Sequence, residues 1–410
     1  MMQFDTGNTG FMLLATSLVM LMTPGLAFFY GGLVGRRNVL AIMMQSFVSM
    51  GITTILWWAV GYSLCFSGDV GGIVGNLDMA FLRGVTLDTP FSGTAKIPLF
   101  VFIAYQMMFA IITPALITGA FTNRVRFAAY LIFLVAWLLF VYFPVVHMVW
   151  GGGLLQKWGV LDFAGGIVVH ATAGWAALAS VFFVGKRRST DPGMHSIPLV
   201  ALGTGLLWFG WYGFNAGSEL AVDAVTGQAF LNTDLAASFA GPVWMLLAWR
   251  FEKKPKFTGL LTGAVAGLAT ITPCAGFVTA NTSVVVGAAS GIVCYVMVSL
   301  KNRLHWDDAL DVWGVHGVGG CLGTILLGVF ANKAVNANGA DGLLAGNALF
   351  FLKQTVAVLG ASAWAFAFTW CGLWLINKVT PVRVTELDEK DLDAQLHGER
   401  GYDLGVRDAE

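Results

Sequence analysis

An all-α integral membrane protein is the fold class that this sequence predicts: eleven transmembrane helices, five plus five in an inverted repeat, with a long final helix. Three observations carry that reading. The 410 residues are 57% hydrophobic and only 11% charged, with a mean hydropathy of +0.74, whereas soluble chains hold about 25% charged residues. Apolar runs long enough to cross a hydrocarbon core of about 30 Å recur along the whole chain. The stretch "DFAGGIVVH", Asp162 to His170, has a counterpart five spans later in "DALDVWGVH", Asp308 to His316.

The runs cover about 9–33, 39–66, 97–121, 127–149, 163–185, 197–217, 235–250, 258–277, 283–300, 311–330 and 346–376. Pro24, Pro114 and Pro242 fall inside them, which neighbouring helices tolerate by satisfying the freed backbone groups. The 51 glycines suit close helix packing, so a single glycine does not mark a site. The residues before the first run hold no basic cluster, so that run is expected to direct insertion instead of being cleaved as a signal peptide. The five cysteines lie in apolar runs without paired spacing and read as packing residues, not as a disulfide or zinc framework. A net charge of zero argues against a nucleic-acid partner.

Orientation follows from lysine and arginine. One set of alternate loops carries Arg36, Arg37, Arg124, Arg126, Lys186, Arg187, Arg188 and the basic groups after spans seven and nine; the other carries Arg83, Lys96, Lys157 and Lys333. The basic set is therefore expected in the cytoplasm, with the N-terminus outside. The expected organisation is a transmembrane domain over 1–376, with halves of about 9–185 and 197–330 and an eleventh helix at about 346–376. A polar, solvated cytoplasmic tail over 377–410 follows, and the predicted location is the cell membrane, with lipid around it.

The two Asp-x7-His elements open spans five and ten. An odd number of spans separates them, so the second copy lies upside down, the arrangement of an inverted-repeat transporter with its site near the midplane. Eight helical residues rise about 12 Å, so each histidine approaches the midplane from its own side. Intramembrane ionisable groups mark substrate or proton pathways, and a shared Nδ1–H···Nδ1 bond is the expected contact of His170 with His316. A neutral imidazole pair suits a small hydrogen-bonding substrate or a proton relay. Axial haem ligation is the rival use, but no third metal ligand clusters nearby, so neither metal nor cofactor is expected. Asp162, just before its span, is expected to cap the helix.

The segments "TPGLAFFYGGL", "HMVWGGGLL", "LDFAGGIVVH", "WFGWYGFNAGS" and "DVWGVHGVGG" occur in an order and topology that resemble the Amt/Mep/Rh ammonium transporter family, bacterial Amt branch. The resemblance covers nearly the whole chain. It implies a transporter and not an enzyme, a homotrimer with one pore per protomer, and ammonium or ammonia, with methylammonium, as the substrate. It also implies twin pore histidines at His170 and His316, a phenylalanine gate at Phe109 and Phe214, and ammonium recruitment at Trp150 and Ser218. Asp162 matches the structural aspartate beneath the vestibule, Trp211 an aromatic near the pore entrance and Val312 an apolar lumen residue.

Tyr105 stands where better-known bacterial members place a third vestibule phenylalanine and is expected to share in ammonium recruitment, with an aromatic face and a hydroxyl; Trp313 stands where some relatives carry Phe. Asp391 replaces a glycine in the tail motif. The partner implied is a trimeric PII signalling protein, docking on the tails and a basic inner surface that includes Arg124 and Arg187. The residue types suit this substrate. Aromatic faces offset the lost hydration of ammonium by roughly 0.5–2 kcal/mol each, and the Ser218 hydroxyl can accept an N–H. A phenylalanine pair excludes K⁺, which cannot shed a proton and would bear the full desolvation cost. An ammonium sensor with little flux and a neutral ammonia channel of the Rh type are the alternatives.

Overall fold

The computed structural model describes residues 4–91, 96–188 and 193–402. Among them the regular elements are all helices. We number the long ones α1 (Thr6–Leu33), α2 (Val39–Phe66), α3 (Leu99–Ile117), α4 (127–150), α5 (Gly166–Val184), α6 (Ile197–Ala216), α7 (Ala224–Glu252), α8 (Phe257–Ile271), α9 (Ala280–Arg303), α10 (Trp313–Phe330) and α11 (Ala348–Val379). Among the described residues, nine helices are long and apolar enough to cross a membrane, and α7 and α8 occupy the remaining two predicted positions.

These two helices depart most from the expected boundaries. The run at 235–250 understates α7, which begins at Ala224 behind a capping box between Asp223 and Thr226. Its first turns are polar because they bond to neighbours: Asn232 Nδ2 donates to the Ala275 and Val278 carbonyls, each at 2.8 Å. The run at 258–277 overstates α8, which stops at Ile271; the turns that follow stay buried around Pro273. The cysteines are free among the described residues.

Helices five positions apart pack on one another, α1 along α6 and α5 against α10. The second contact depends on missing side chains. A Cβ on Gly174 would stand 2.0 Å from the Gly317 nitrogen, and one on Gly320 would stand 2.6 Å from the Gly166 carbonyl. Gly174 and Gly320 each lie four residues after a histidine, one turn along the same face. The close approach of α5 to α10 is therefore what lets His170 reach His316. Both histidines sit in π-helical segments, Gly166–Ala171 and Trp313–Gly317. A wider turn rises less per residue, so each ring lies nearer its helix start than eight α-helical residues would place it.

The basic loops gather at one end with the C-terminal segment. Arg124 is fully buried; its guanidinium donates to the Gly185 carbonyl at 2.7 Å and faces Asp307, which also pairs with Arg187 at 2.7 Å. Burial alone would raise the Asp307 carboxyl, but Arg124 and Arg187 outweigh it and hold it below the usual range. These two arginines are thus consumed within the chain, which corrects their expected place on an open basic surface.

The solvated tail is also corrected. Residues 380–402 lie against the helix ends: Arg126 N donates to Val382 O, and Glu389 Oε1 accepts from Arg188 N at 2.6 Å. Asn38 makes no side-chain cap at the start of α2; Asp393 instead accepts from Leu40 N and Ala41 N at 3.1 and 2.9 Å. Asp391 keeps an ordinary negative φ and accepts from Ala394 N, so the backbone there does not require glycine. The final residues of the tail motif, from position 403, lie outside the described residues.

The glycine crossing generates a direct prediction. Gly174→Val should destabilise the protein by well over the 1–3 kcal/mol typical of overpacking, because its Cβ meets backbone. Gly205→Ala, with no atom within 4 Å, should be neutral. Thermal unfolding of both variants in detergent checks it.

Candidate pore and recruitment site

The site begins at two helix starts. Asp162 accepts four backbone N–H groups: Gly165 at 2.9 Å and Gly166 at 2.7 Å on Oδ1, Ile167 at 2.8 Å and Val168 at 3.1 Å on Oδ2. These are the donors a helix N-terminus leaves unpaired, so one carboxylate completes the start of α5. Asp308 does the same for α10, through Val312 N at 3.1 Å and Trp313 N at 2.8 Å. The Asp162 carbonyl also accepts from Trp150 Nε1 at 2.8 Å. The residue that sets α5 thus also orients the tryptophan at the end of α4.

Beside the Asp162 cap lies an open vestibule of about 680 Å³, whose wall includes Trp150, Asp162, Ser218, Glu219, Gln106 and Phe102. Tyr105 does not line it; the side chain is fully buried behind Ser218. Its hydroxyl lies 2.9 Å from both the Gly213 and Phe214 carbonyls and 3.2 Å from Ser218 Oγ. Ser218 Oγ in turn donates to Phe214 O at 2.8 Å. With that proton spent on its own helix, Ser218 has lone pairs left to accept an N–H.

Inward of Ser218 the passage closes. Phe109 and Phe214 are both buried, with ring centroids 4.2 Å apart at 36°. Phe109 also meets the Trp150 ring edge-on at 6.0 Å and the Tyr105 ring at 5.0 Å. Beyond them, Nδ1 of His170 lies 3.2 Å from Nδ1 of His316. The rings are 5.2 Å apart and nearly parallel, and Trp211 stacks on His170 at 5.4 Å while donating to Thr272 Oγ1 at 3.0 Å. The pair, Trp211 and Phe214 border a cavity otherwise walled by aliphatic and aromatic groups such as Leu26, Ile112 and Val265. It leaves about 10 Å³ for the centre of a water-sized molecule, the room one water needs.

His170 Nε2 is buried with no protein partner, a state that calls for an explanation in function. Val312 lies apart from this cavity, one turn before His316, with its methyl beside Gly119 and Tyr30. Trp313 packs edge-on against Trp175 and Trp306. The described residues contain no group of three or more His, Cys, Asp or Glu able to hold a metal.

Sequence reasoning left three contributors unassigned. Thr272, Gln106 and Glu219 carry no motif of their own and are recruited by packing. His147 was within reach, since it lies in the "HMVWGGGLL" segment three residues before Trp150.

A membrane-spanning helical bundle, with an aromatic entrance leading to a largely apolar, histidine-lined cavity, defines a multi-pass transport protein. Comparison with known proteins makes this specific. The model of the Ammonium Transporter Family matches residues 10–402, and the chain belongs to that family. It is 45% identical to the ammonium transporter of Bacillus subtilis over 97% of this chain and 98% of that one. It is 43% identical to the ammonium transporter of Aquifex aeolicus, over 98% and 95%. Among solved structures, Saccharomyces cerevisiae Mep2 superposes with a TM-score of 0.87 at 35% identity, covering 93% of this chain and 88% of that chain. A structure described as a sensor Amt protein gives 0.86 at 29% identity, covering 98% of each.

The four-donor cap can be tested apart from transport. Asp162→Ala should cost at least about 2 kcal/mol, since buried N–H groups are left without acceptors. Trp150 would keep its carbonyl partner but lose its fixed loop. Thermal unfolding, with intrinsic fluorescence reporting the Trp150 environment, measures both.

Proposed function

We propose that this chain carries ammonium across the cell membrane into the cytoplasm. The ion is recruited at Trp150 and Ser218, loses its proton at the phenylalanine gate, and crosses the dry section as ammonia past His170 and His316. The observation that carries this reading is the Nδ1–Nδ1 contact of two buried histidines beside a cavity with room for one small molecule. A hydrated cation does not fit there, and a bare one would lose its hydration without replacement. Ammonium escapes that cost by giving up a proton, and an imidazole pair can relay the proton separately. Tyr105 acts from behind Ser218 through its hydroxyl, and Val312, one turn before His316, is read as an apolar residue of the lumen.

In this reading the halves 9–185 and 197–330 form an inverted repeat, three protomers assemble with one pore each, and the N-terminus is outside. Proteoliposomes should respond to ammonium and methylammonium jumps but not comparably to K⁺. The His170→Ala/His316→Ala double variant should lose most of the electrogenic ammonium signal or its selectivity against K⁺. A double variant with unaltered current and selectivity would make the pair structural only.

A sensor reading draws on one observation, the similarity to the solved sensor Amt protein; absence of ammonium flux from well-folded proteoliposomes would favour it. For regulation we propose that a PII protein docks on the cytoplasmic face beside the docked tail. Three weak contacts on a trimer would act together through effective concentration. Co-purification with the organism's own PII protein, across ADP, ATP and 2-oxoglutarate conditions, should give a complex in at least one of them. A complex in none of them would remove this partner.

A further inference from the structure

The outer rim of the vestibule contains a knot of charged groups that the pathway itself does not use. After Trp150 the chain runs through Gly151, Gly152 and Gly153 directly against the last turn of α2 and the loop that follows it. A Cβ on Gly151 would stand 1.9 Å from the Cys65 carbonyl, and one on Gly153 would stand 2.6 Å from the Gly72 carbonyl. Gly152 has φ of +87°, so this segment is glycine for both space and conformation. Leu154 N donates to Gly72 O at 2.7 Å.

Asp69 ties the two segments together. Its Oδ1 accepts from Gly72 N at 2.7 Å and from His147 Nε2 at 3.1 Å, and its Oδ2 accepts from the Lys157 ammonium. One carboxylate therefore joins its own loop, the last turn of α4 and the short turn Leu154–Trp158. The buried His147 ring also donates from Nδ1 to Cys65 O at 2.9 Å. Both ring nitrogens therefore have partners, Nδ1 at the Cys65 carbonyl and Nε2 at the Asp69 carboxylate, which fixes the ring between α2 and the rim loop. Lys157 and His147 together hold the Asp69 carboxyl down at about 2, so it remains charged under any assay condition near neutrality.

Asp69 is not in the vestibule wall, but what it fixes is. Trp150, Gly151, Gly152 and Gln156 all border the vestibule, and all lie on the segment that His147 and Lys157 pin. We propose that Asp69 is a positioning residue for cation recruitment: through His147 and Lys157 it fixes the end of α4 from which Trp150 faces the vestibule. The inference rests on the recruitment reading above. It assigns Asp69 the opposite of a cation-attracting role, because its charge is already paired with the Lys157 ammonium at the rim. Removing it would release the rim and leave the Lys157 charge uncompensated beside the mouth.

The test is concentration-dependent methylammonium uptake and ammonium current in proteoliposomes of the full chain. Asp69→Asn should raise the apparent KM several-fold with little change in Vmax, since the gate and histidines are untouched. Asp69→Glu, which keeps the charge, should recover part of the loss. In a Trp150→Ala background Asp69→Asn should add nothing further. An unchanged KM in Asp69→Asn, or an equal further rise in the Trp150→Ala background, overturns the proposal; the second result would make Asp69 a long-range charge. Trp150→Ala with normal KM would instead sink the recruitment reading, and this inference with it. Should Asp69→Asn fail to assemble, Lys157→Met removes one exposed donor; a smaller rise in KM is expected there, and no rise overturns the proposal.

Discussion

The close crossing of α5 and α10 is the constraint on which the rest of the molecule depends. A hydrogen bond between two rings fixed on separate helices needs those backbones within a narrow range of distance. Gly174, Gly317 and Gly320 supply it by having nothing to interpose. In a bilayer no hydrophobic force pulls helices together, because lipid is as apolar as they are, so such contacts rely on packing of small surfaces. The aspartate caps then fix where each helix begins, and with it the depth of each ring. Remove the crossing and the caps still form, but the two imidazoles no longer share a bond.

The passage changes character within a few residues, and each change follows from what surrounds it. At the vestibule, Glu219 and aromatic faces such as Trp150 together suit a cation. At Phe109 and Phe214 two tilted rings close on each other and polar partners vanish. At the histidines a polar edge returns, isolated in an apolar wall, with Nε2 of His170 unpaired. An isolated polar edge costs stability wherever it serves nothing. Its persistence here fits a group that must bond to something passing.

Much of this was legible in the sequence, for physical reasons. Lipid imposes a length and an apolarity on each span, so helix number could be read from hydropathy alone, and the paired Asp-x7-His elements located the two rings. Where helices carry polar residues that bond to neighbours instead of facing lipid, the same rule fails, as at the start of α7. The rim residues, the buried position of Tyr105 and the occupied arginines were not legible either. Each depends on a partner hundreds of positions away or in a different loop: Arg124 meets Asp307, and Asp393 meets Leu40 and Ala41. Polar composition suggested a solvated tail; it did not reveal that one acidic group, Asp393, supplies the cap that α2 lacks.

The π-helical turns at the two histidines have a further consequence. Such a turn amounts to one surplus residue tucked into an otherwise α-helical span, and both halves hold it between the aspartate and the glycine. Losing it from one half would rotate that half's histidine by roughly 100° about its helix axis while leaving the cap and the rest of the span intact. The halves are therefore length-locked: a deletion tolerated almost anywhere else in a membrane helix, where it can be absorbed as tilt, would here turn one ring away from its mate.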